Sequence, residues 1–171
     1  MPTPCYLSVL GSTQGNITVN AFTADSVGNI YVEGHENEML IQSVSHGVGV
    51  PTDPQSGQPT GQRIHCPLVV TCALNKSTPL IFNAVVSGER LLKIQLNWYR
   101  TSTEGKQEHF FTYLLEDAIA TNLSVHMPHA QDSSTMDYTQ LVDITFSYRK
   151  ISLEHIVSGT AGSDDWRRPA V

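Results

Sequence analysis

Seven histidines, three cysteines and sixteen carboxylates give this chain the raw material for several chemistries. The densest grouping is His126-Met127-Pro128-His129 with Asp132, a possible metal pair. No third and fourth ligand follow at zinc-like spacing, so no metal site is expected there. His65 and Cys66 with Cys72 form a second grouping. Read as one strand, Cys66 and Cys72 share a face but lie about 20 Å apart, too far to share an ion. Glu33, His35, Glu36 and Glu38 offer carboxylates for acid–base work, yet they read better as an acidic loop leading into a strand. There is no Gly-x-Ser-x-Gly elbow and no phosphate-binding loop ending in Lys-Ser/Thr. Gly47-Val48-Gly49 lacks the third glycine of a dinucleotide fingerprint. No nucleophile, base and orienting group can be named together, so neither an enzyme nor a cofactor is expected.

Three other segments carry stronger patterns. In MLIQSVSHGVGV (39–50) the odd positions from 43 onward are Ser43, Ser45, Gly47 and Gly49. A face of small residues, where a barrel normally carries long charged chains, suits a close approach or a smooth wall. The stretch from Pro51 to Gln62 is polar and rich in proline and glycine, and strand-like runs flank it. It is expected to leave the body as an extended hairpin, with Asp53-Pro54-Gln55-Ser56-Gly57 as its turn. In STPLIFNAVVSGERL (77–91) Thr78 can cap a helix, Pro79 suits its first position and Gly88 suits the residue beyond its end. Leu80, Ile81, Phe82, Val85 and Val86 cover most of that helix's circumference. It should therefore be covered on more than one side, by a loop or by another subunit.

The elements that must position these segments are strands. Period-two alternation runs through 14–23 (Ile17, Val19, Ala21), 62–74 (Ile64, Cys66, Leu68, Val70, Cys72, Leu74), 90–101 (Leu92, Ile94, Leu96, Trp98), 117–127 and 140–153. In the last run the inward set Val142, Ile144, Phe146, Tyr148 gives way to Ile151 and Leu153, which predicts a β-bulge at Arg149–Lys150. Thr103-Glu104-Gly105 predicts a hairpin. The expected fold is all-β with one helix: a barrel or sandwich of roughly eight to ten strands. One domain over 1–158 is expected, followed by a loosely held tail over 159–171. The three cysteines read as buried free thiols. The chain has a formal charge of −6, with its ten Lys and Arg scattered. That argues against nucleic acid and anionic membranes as partners. No signal peptide and no membrane span is expected, so synthesis and folding are placed in the cytoplasm.

Several pieces then resemble one family in its own order. They are VEGHENEMLI (32–41), PTDPQSGQPTGQRIHCP (51–67), STPLIFNAVVSGERL (77–91), LNWYRTSTEGKQEHFFTYLLEDA (96–118), SYRKI (147–151) and GTAGSDDWRRP (159–169). Together they are similar to the haemolysin-coregulated (Hcp) proteins, tube subunits of type VI secretion. The resemblance implies a two-sheet β-barrel flanked by a helix. It also implies homohexameric rings that stack inside a contractile sheath on a baseplate, a spike protein at the tip, and small effectors carried in the channel. The protein itself would be exported without a signal peptide. Under that resemblance Ser43, Ser45, Gly47 and Gly49 would line the channel. Pro51, Asp53, Pro54, Gln55, Gly57, Pro59, Thr60, Gly61, Arg63 and His65 would form an assembly loop, and the helix would meet a neighbouring subunit. The ending soon after SYRKI implies no fused toxin, and Leu153 stands where the family often has tryptophan. A phage tail-tube protein and a ligand-binding β-barrel are the competing readings.

Overall fold

The structure, a computed structural model, describes residues 3–135 and 137–168. Its strands are β1 (Cys5–Gly11), β2 (Met39–Ser45), β3 (Val48–Gly49), β4 (Ile64–His65), β5 (Leu68–Ala73), β6 (Arg90–Thr101), β7 (Gln107–His126), β8 (Leu141–His155) and β9 (Thr160–Asp165). Two helices join them, α1 (Ala24–Val27) and α2 (Thr78–Ser87). The main sheet runs β5-β2-β1-β6-β7-β8-β9, and β5 also pairs with β8. That last pairing closes a barrel, which removes most free edges. β3 and β4 form a separate ribbon.

Inward residues from all the barrel strands meet in one core: Leu7, Val9, Leu68, Val70, Ile94, Leu96, Leu115, Ile144 and Phe146 are fully buried. Phe146 fills the space opposite Leu68 and Ala120, and its burial stabilises the fold by roughly 1.5–3 kcal/mol. The hairpin at Thr103-Glu104-Gly105 forms as expected. The Gly105 N–H donates to the Ser102 carbonyl at 3.0 Å, with Gly105 at φ 77°.

The parity switch in β8 is present, but it is not a one-strand bulge. Buried positions step from Leu91 to Ile94 in β6, from Ala118 to Leu115 in β7 and from Tyr148 to Ile151 in β8. These residues are paired across the sheet as Leu91–Ala118–Tyr148 and Ile94–Leu115–Ile151, so the register continues straight through. All three strands exchange faces along one row. Asp117 sits in that row at φ 54°, a conformation that aspartate tolerates better than most residues. Arg90 and Arg149 pair with its carboxylate.

Three other expectations fail. Segment 14–23 forms turns, not a strand. The Asn16 carboxamide accepts from the Thr18 N–H and hydroxyl, and Asn20 takes φ 55°. Such side-chain bonds compete with an extended backbone. Ile17 and Ala21 are still buried, while Val19 is exposed. Residues 160–165 are not a loose tail. They pair with β8 from Lys150–Asp165 to His155–Thr160, so backbone bonds hold a strand whose side chains bury little. Of the three free cysteines, Cys5 and Cys72 are buried but Cys66 is exposed.

Helix α2 begins one residue earlier than expected, with Ser77 at the N-cap and Pro79 in its first turn. The Ser77 hydroxyl donates to the Ile17 carbonyl at 3.1 Å instead of capping the helix. Gly88 ends it in the left-handed conformation at φ 65°, as the sequence predicts. Ile81 and Ala84 face the core. Leu80 and Val85 are half-buried. Phe82 and Val86 remain 54% and 71% exposed in the single chain.

Candidate functional site

The ribbon from Gly47 to Cys66 leaves the barrel as a projecting arm. Val48 pairs with His65 and Gly49 with Ile64, and the Cys66 N–H donates to the Gly47 carbonyl at 2.8 Å. Further out, Thr52 bridges Pro59, and the Thr60 N–H reaches the Pro51 carbonyl at 2.9 Å. At the tip the Asp53 side chain accepts from the Gln55 N–H at 2.8 Å, and Gly57 turns at φ 68°. Residues 54–62 are all exposed. So are the apolar side chains of Val48, Val50 and Ile64, each half or more accessible.

The arm is fixed at its root. Arg63 grips Asp164 through Nε and through Nη2, the latter at 2.8 Å, and also donates to the carbonyls of Asp165 and Arg168 at 2.9 Å. His65 is buried, with Nε2 2.7 Å from the Asp164 carboxylate and Nδ1 2.9 Å from the Tyr148 hydroxyl. His46 Nε2 meets the same hydroxyl at 2.6 Å. The Trp166 ring packs on both His65 and Tyr148. Hydrogen bonds from Arg63, then from His65, hold the Asp164 carboxyl down at about 2 despite some desolvation. Burial pushes the Tyr148 phenol up to about 12. Burial, helped by the nearby His65, lowers His46.

This geometry corrects the reading of 62–74 as one strand. Pro67 has no N–H to donate and separates β4 from β5. Ile64 and Cys66, which the alternation places inward, therefore point outward, and His65 between them points in. Segment 39–50 divides in the same way. Ser43 and Ser45 lie exposed on the barrel wall in β2, whereas Gly47 and Gly49 belong to the arm. A register shift between Ile41 and Ser43 moves the inward set from Met39 and Ile41 to Val44. A Cβ added at Gly49 would meet nothing within 4 Å, so the chain's own packing does not require glycine there.

Ser43 and Ser45 are part of a wider face that the sequence pattern did not reveal. Ser43 continues across the sheet through Thr71 and Asp143 to Ser124, and Ser45 through Val69 and Thr145 to Asn122. The Thr71 hydroxyl donates to Asp143, the one carboxylate in these two rows. Among the acid–base candidates, His35, Glu36 and Glu38 have structural partners. Glu38 is held by His35 at 2.7 Å and by the Asn97 carboxamide at 3.0 Å, with Tyr6 stacked on the His35 ring at 3.7 Å. In the His126–His129 grouping, where no metal site is expected, His126 approaches Asp143 at 3.7 Å.

Arg63 and His65, Tyr148, and Asp164 with Trp166, from three motifs far apart in the chain, thus meet at the arm root. Residues 6–155 match the family described as type VI secretion system effector, Hcp. The chain belongs to the Hcp family. It is 53% identical to the major exported protein of Pseudomonas aeruginosa, over 99% of this chain and 98% of that protein. A crystal structure of an Hcp protein shares 52% identity with a TM-score of 0.92, over 96% of this chain and all of that one. The secreted protein Hcp3 from Pseudomonas aeruginosa shares 46% identity with a TM-score of 0.83, over 98% and all of the respective chains. Hcp is a family of secreted type VI effector and tube proteins. Among the described residues no helix is long and apolar enough to cross a membrane.

Proposed function

We propose that this chain is the repeating subunit of a type VI secretion tube. Six copies close into a ring and rings stack inside a contractile sheath seated on a baseplate, with a spike protein at the tip. The subunit is made in the cytoplasm and exported with the tube, and small effectors travel in the channel. Family membership supports the secretion role, and the projecting arm carries the assembly reading. Its exposed Val48, Val50 and Ile64 have no partner surface within the chain's described residues, while its root is held by charged hydrogen bonds. A held ribbon loses little entropy when a neighbour covers it.

Cyclic assembly gives each subunit two different contact faces, one for each neighbour. The exposed Phe82 and Val86 of α2 supply one apolar patch and the arm supplies another. The small, polar face around Ser43 and Ser45 then lines the bore, where short side chains leave room for cargo. Gly47 and Gly49 lie in the arm, where the open Cβ position at Gly49 leaves space for another chain to approach.

Replacing residues 53–60 with a short Gly-Ser linker tests the arm. The variant should fold and keep the barrel's melting behaviour, but its rings should fail to stack and secretion should fall in a strain lacking the wild-type copy. Normal stacking and secretion by the linker variant would overturn the assembly reading.

A further inference from the structure

We infer that His46, Tyr148, His65 and Asp164 form a proton-counting clasp at the arm root, able to hold one added proton but not two. The inference concerns regulation of the arm and rests on reading it as the assembly element.

Counting hydrogens along the chain leads to this limit. Asp164 is a carboxylate and only accepts, so His65 carries a hydrogen on Nε2. With His65 neutral, its Nδ1 accepts from the Tyr148 hydroxyl. The phenol oxygen is then free to accept from His46, which carries its hydrogen on Nε2. Every contact is satisfied, and all donors point the same way. One proton can be added without loss. A hydrogen on His65 Nδ1 donates to the phenol oxygen, and the phenol hydroxyl turns to His46, whose hydrogen moves to Nδ1. Alternatively, His46 takes the proton on Nδ1 and nothing else changes.

Two protons cannot be accommodated. His46 Nε2–H and His65 Nδ1–H would then both point at one phenol oxygen, 2.6 and 2.9 Å away. The hydroxyl's own hydrogen would lose its acceptor. Two imidazolium charges would also face each other across Tyr148. The phenol stays protonated throughout, because burial keeps it at about 12, so it cannot relieve the conflict by ionising.

The surroundings place the weak point at His46. Facing His65 are the Asp164 carboxylate on β9, Tyr148 on β8 and the Trp166 ring, with Arg63 beyond Asp164. Facing His46 are Tyr113 on β7, Tyr148 on β8 and His65 on β4, none of them a carboxylate. The second proton therefore breaks the His46–Tyr148 bond. His46 directly precedes Gly47, whose carbonyl holds the returning strand through the Cys66 N–H. Burial and the nearby His65 lower His46 in the clasped state. The first proton leaves the clasp intact, so the clasp is fully held above the free-histidine value of about 6.5 and is lost at lower pH, as the second proton enters.

The test is hydrogen exchange of peptides covering 46–66, corrected for the intrinsic pH dependence of exchange, between pH 7.5 and pH 5. Wild-type protection should fall about three- to tenfold, the change produced by losing one net hydrogen bond. His46→Gln keeps a donor to Tyr148 but cannot charge, so its protection should stay flat. His65→Gln, which also removes one charge, should do the same if it folds. Flat wild-type protection, or equal loss in wild type and His46→Gln, would overturn the clasp. Sedimentation of the same samples separates this from the assembly reading. Exchange that rises in acid with stacking unchanged supports the clasp and counts against the arm's role. Stacking abolished by the 53–60 linker with protection flat in acid removes the clasp and leaves that role standing.

Discussion

Asp164→Ala is the most direct probe of how β9 holds the arm. The substitution removes the acceptor for two Arg63 nitrogens and for His65 Nε2. The His65 side chain is 2% exposed, so its Nε2–H would be left without a partner in a dry site; that costs about 1–3 kcal/mol. The Arg63–Asp164 pair is worth less. Asp164 is 36% exposed and Arg63 keeps two backbone carbonyls, so this pair adds about 0–1 kcal/mol. The expected loss is about 1–4 kcal/mol, or about 2–16 °C in Tm for a domain of this size. Asp164→Asn keeps an acceptor for His65 and should lose about 1 kcal/mol. Urea titration at one fixed, dilute protein concentration reads the difference without the mass-action contribution of assembly. The pH dependence has a definite sign. The Asp164 carboxyl is lowered to about 2, so its stabilisation is present above the usual aspartate value of about 3.9 and is lost as pH falls through 2. The gap between wild type and Asp164→Asn should therefore hold from pH 7 to pH 5 and close between about pH 4 and pH 2. A loss below about 0.5 kcal/mol at pH 7 for Asp164→Ala would refute the idea that β9 anchors the arm.

Phe82→Glu changes an exposed helix position, so the dilute chain should keep its stability to within about 0.5 kcal/mol. Rings should be lost in sedimentation, and rings that persist would remove α2 from the subunit interface. With a small thiol reagent, native protein should react quickly at exposed Cys66, while Cys5 and Cys72, buried and pushed up to about 12, should wait for unfolding. In a Cys66→Ser background, Ser45→Cys in assembled rings should react as readily as an exposed surface thiol; resistance would place Ser45 away from the bore.

Much of the barrel is legible in the sequence because alternation reports burial. Leu68, Val70 and Cys72 in β5, and Val142, Ile144, Phe146 and Tyr148 in β8, point inward as their spacing predicts. What alternation misses is pairing without burial. The sequence of β9, TAGSDD, has no apolar period; its place comes from backbone bonds to β8 and from the grip of Asp164 on Arg63 and His65. Alternation over 62–74 places His65 opposite the apolar set, but its partners lie 83 and 99 residues away, beyond the reach of any local pattern. In β6, Leu92 fits the alternation yet is exposed, and Leu91 is buried in its place, because the strands switch faces along a common row. The arm's turn was legible from Asp53 to Gly57, since its chemistry is local. The face shared by Ser43, Thr71, Asp143 and Ser124 was not, since it is assembled from four separate strands.

The common row at Leu91–Lys93, Glu116–Ala118 and Tyr148–Lys150 limits how the gene can change length. Deleting one residue from a single strand beyond the row would turn every later side chain of that strand to the wrong face while its neighbours stayed in step. Length changes in β6, β7 and β8 are thus tolerable only at their ends or in compensating sets. The outer arm, residues 51–62, and the segment after β7 lie outside that row and can change length without turning the wall's side chains. Variation in chain length among descendants of this sequence should therefore collect in those two segments, while substitutions, and not insertions, reshape the wall.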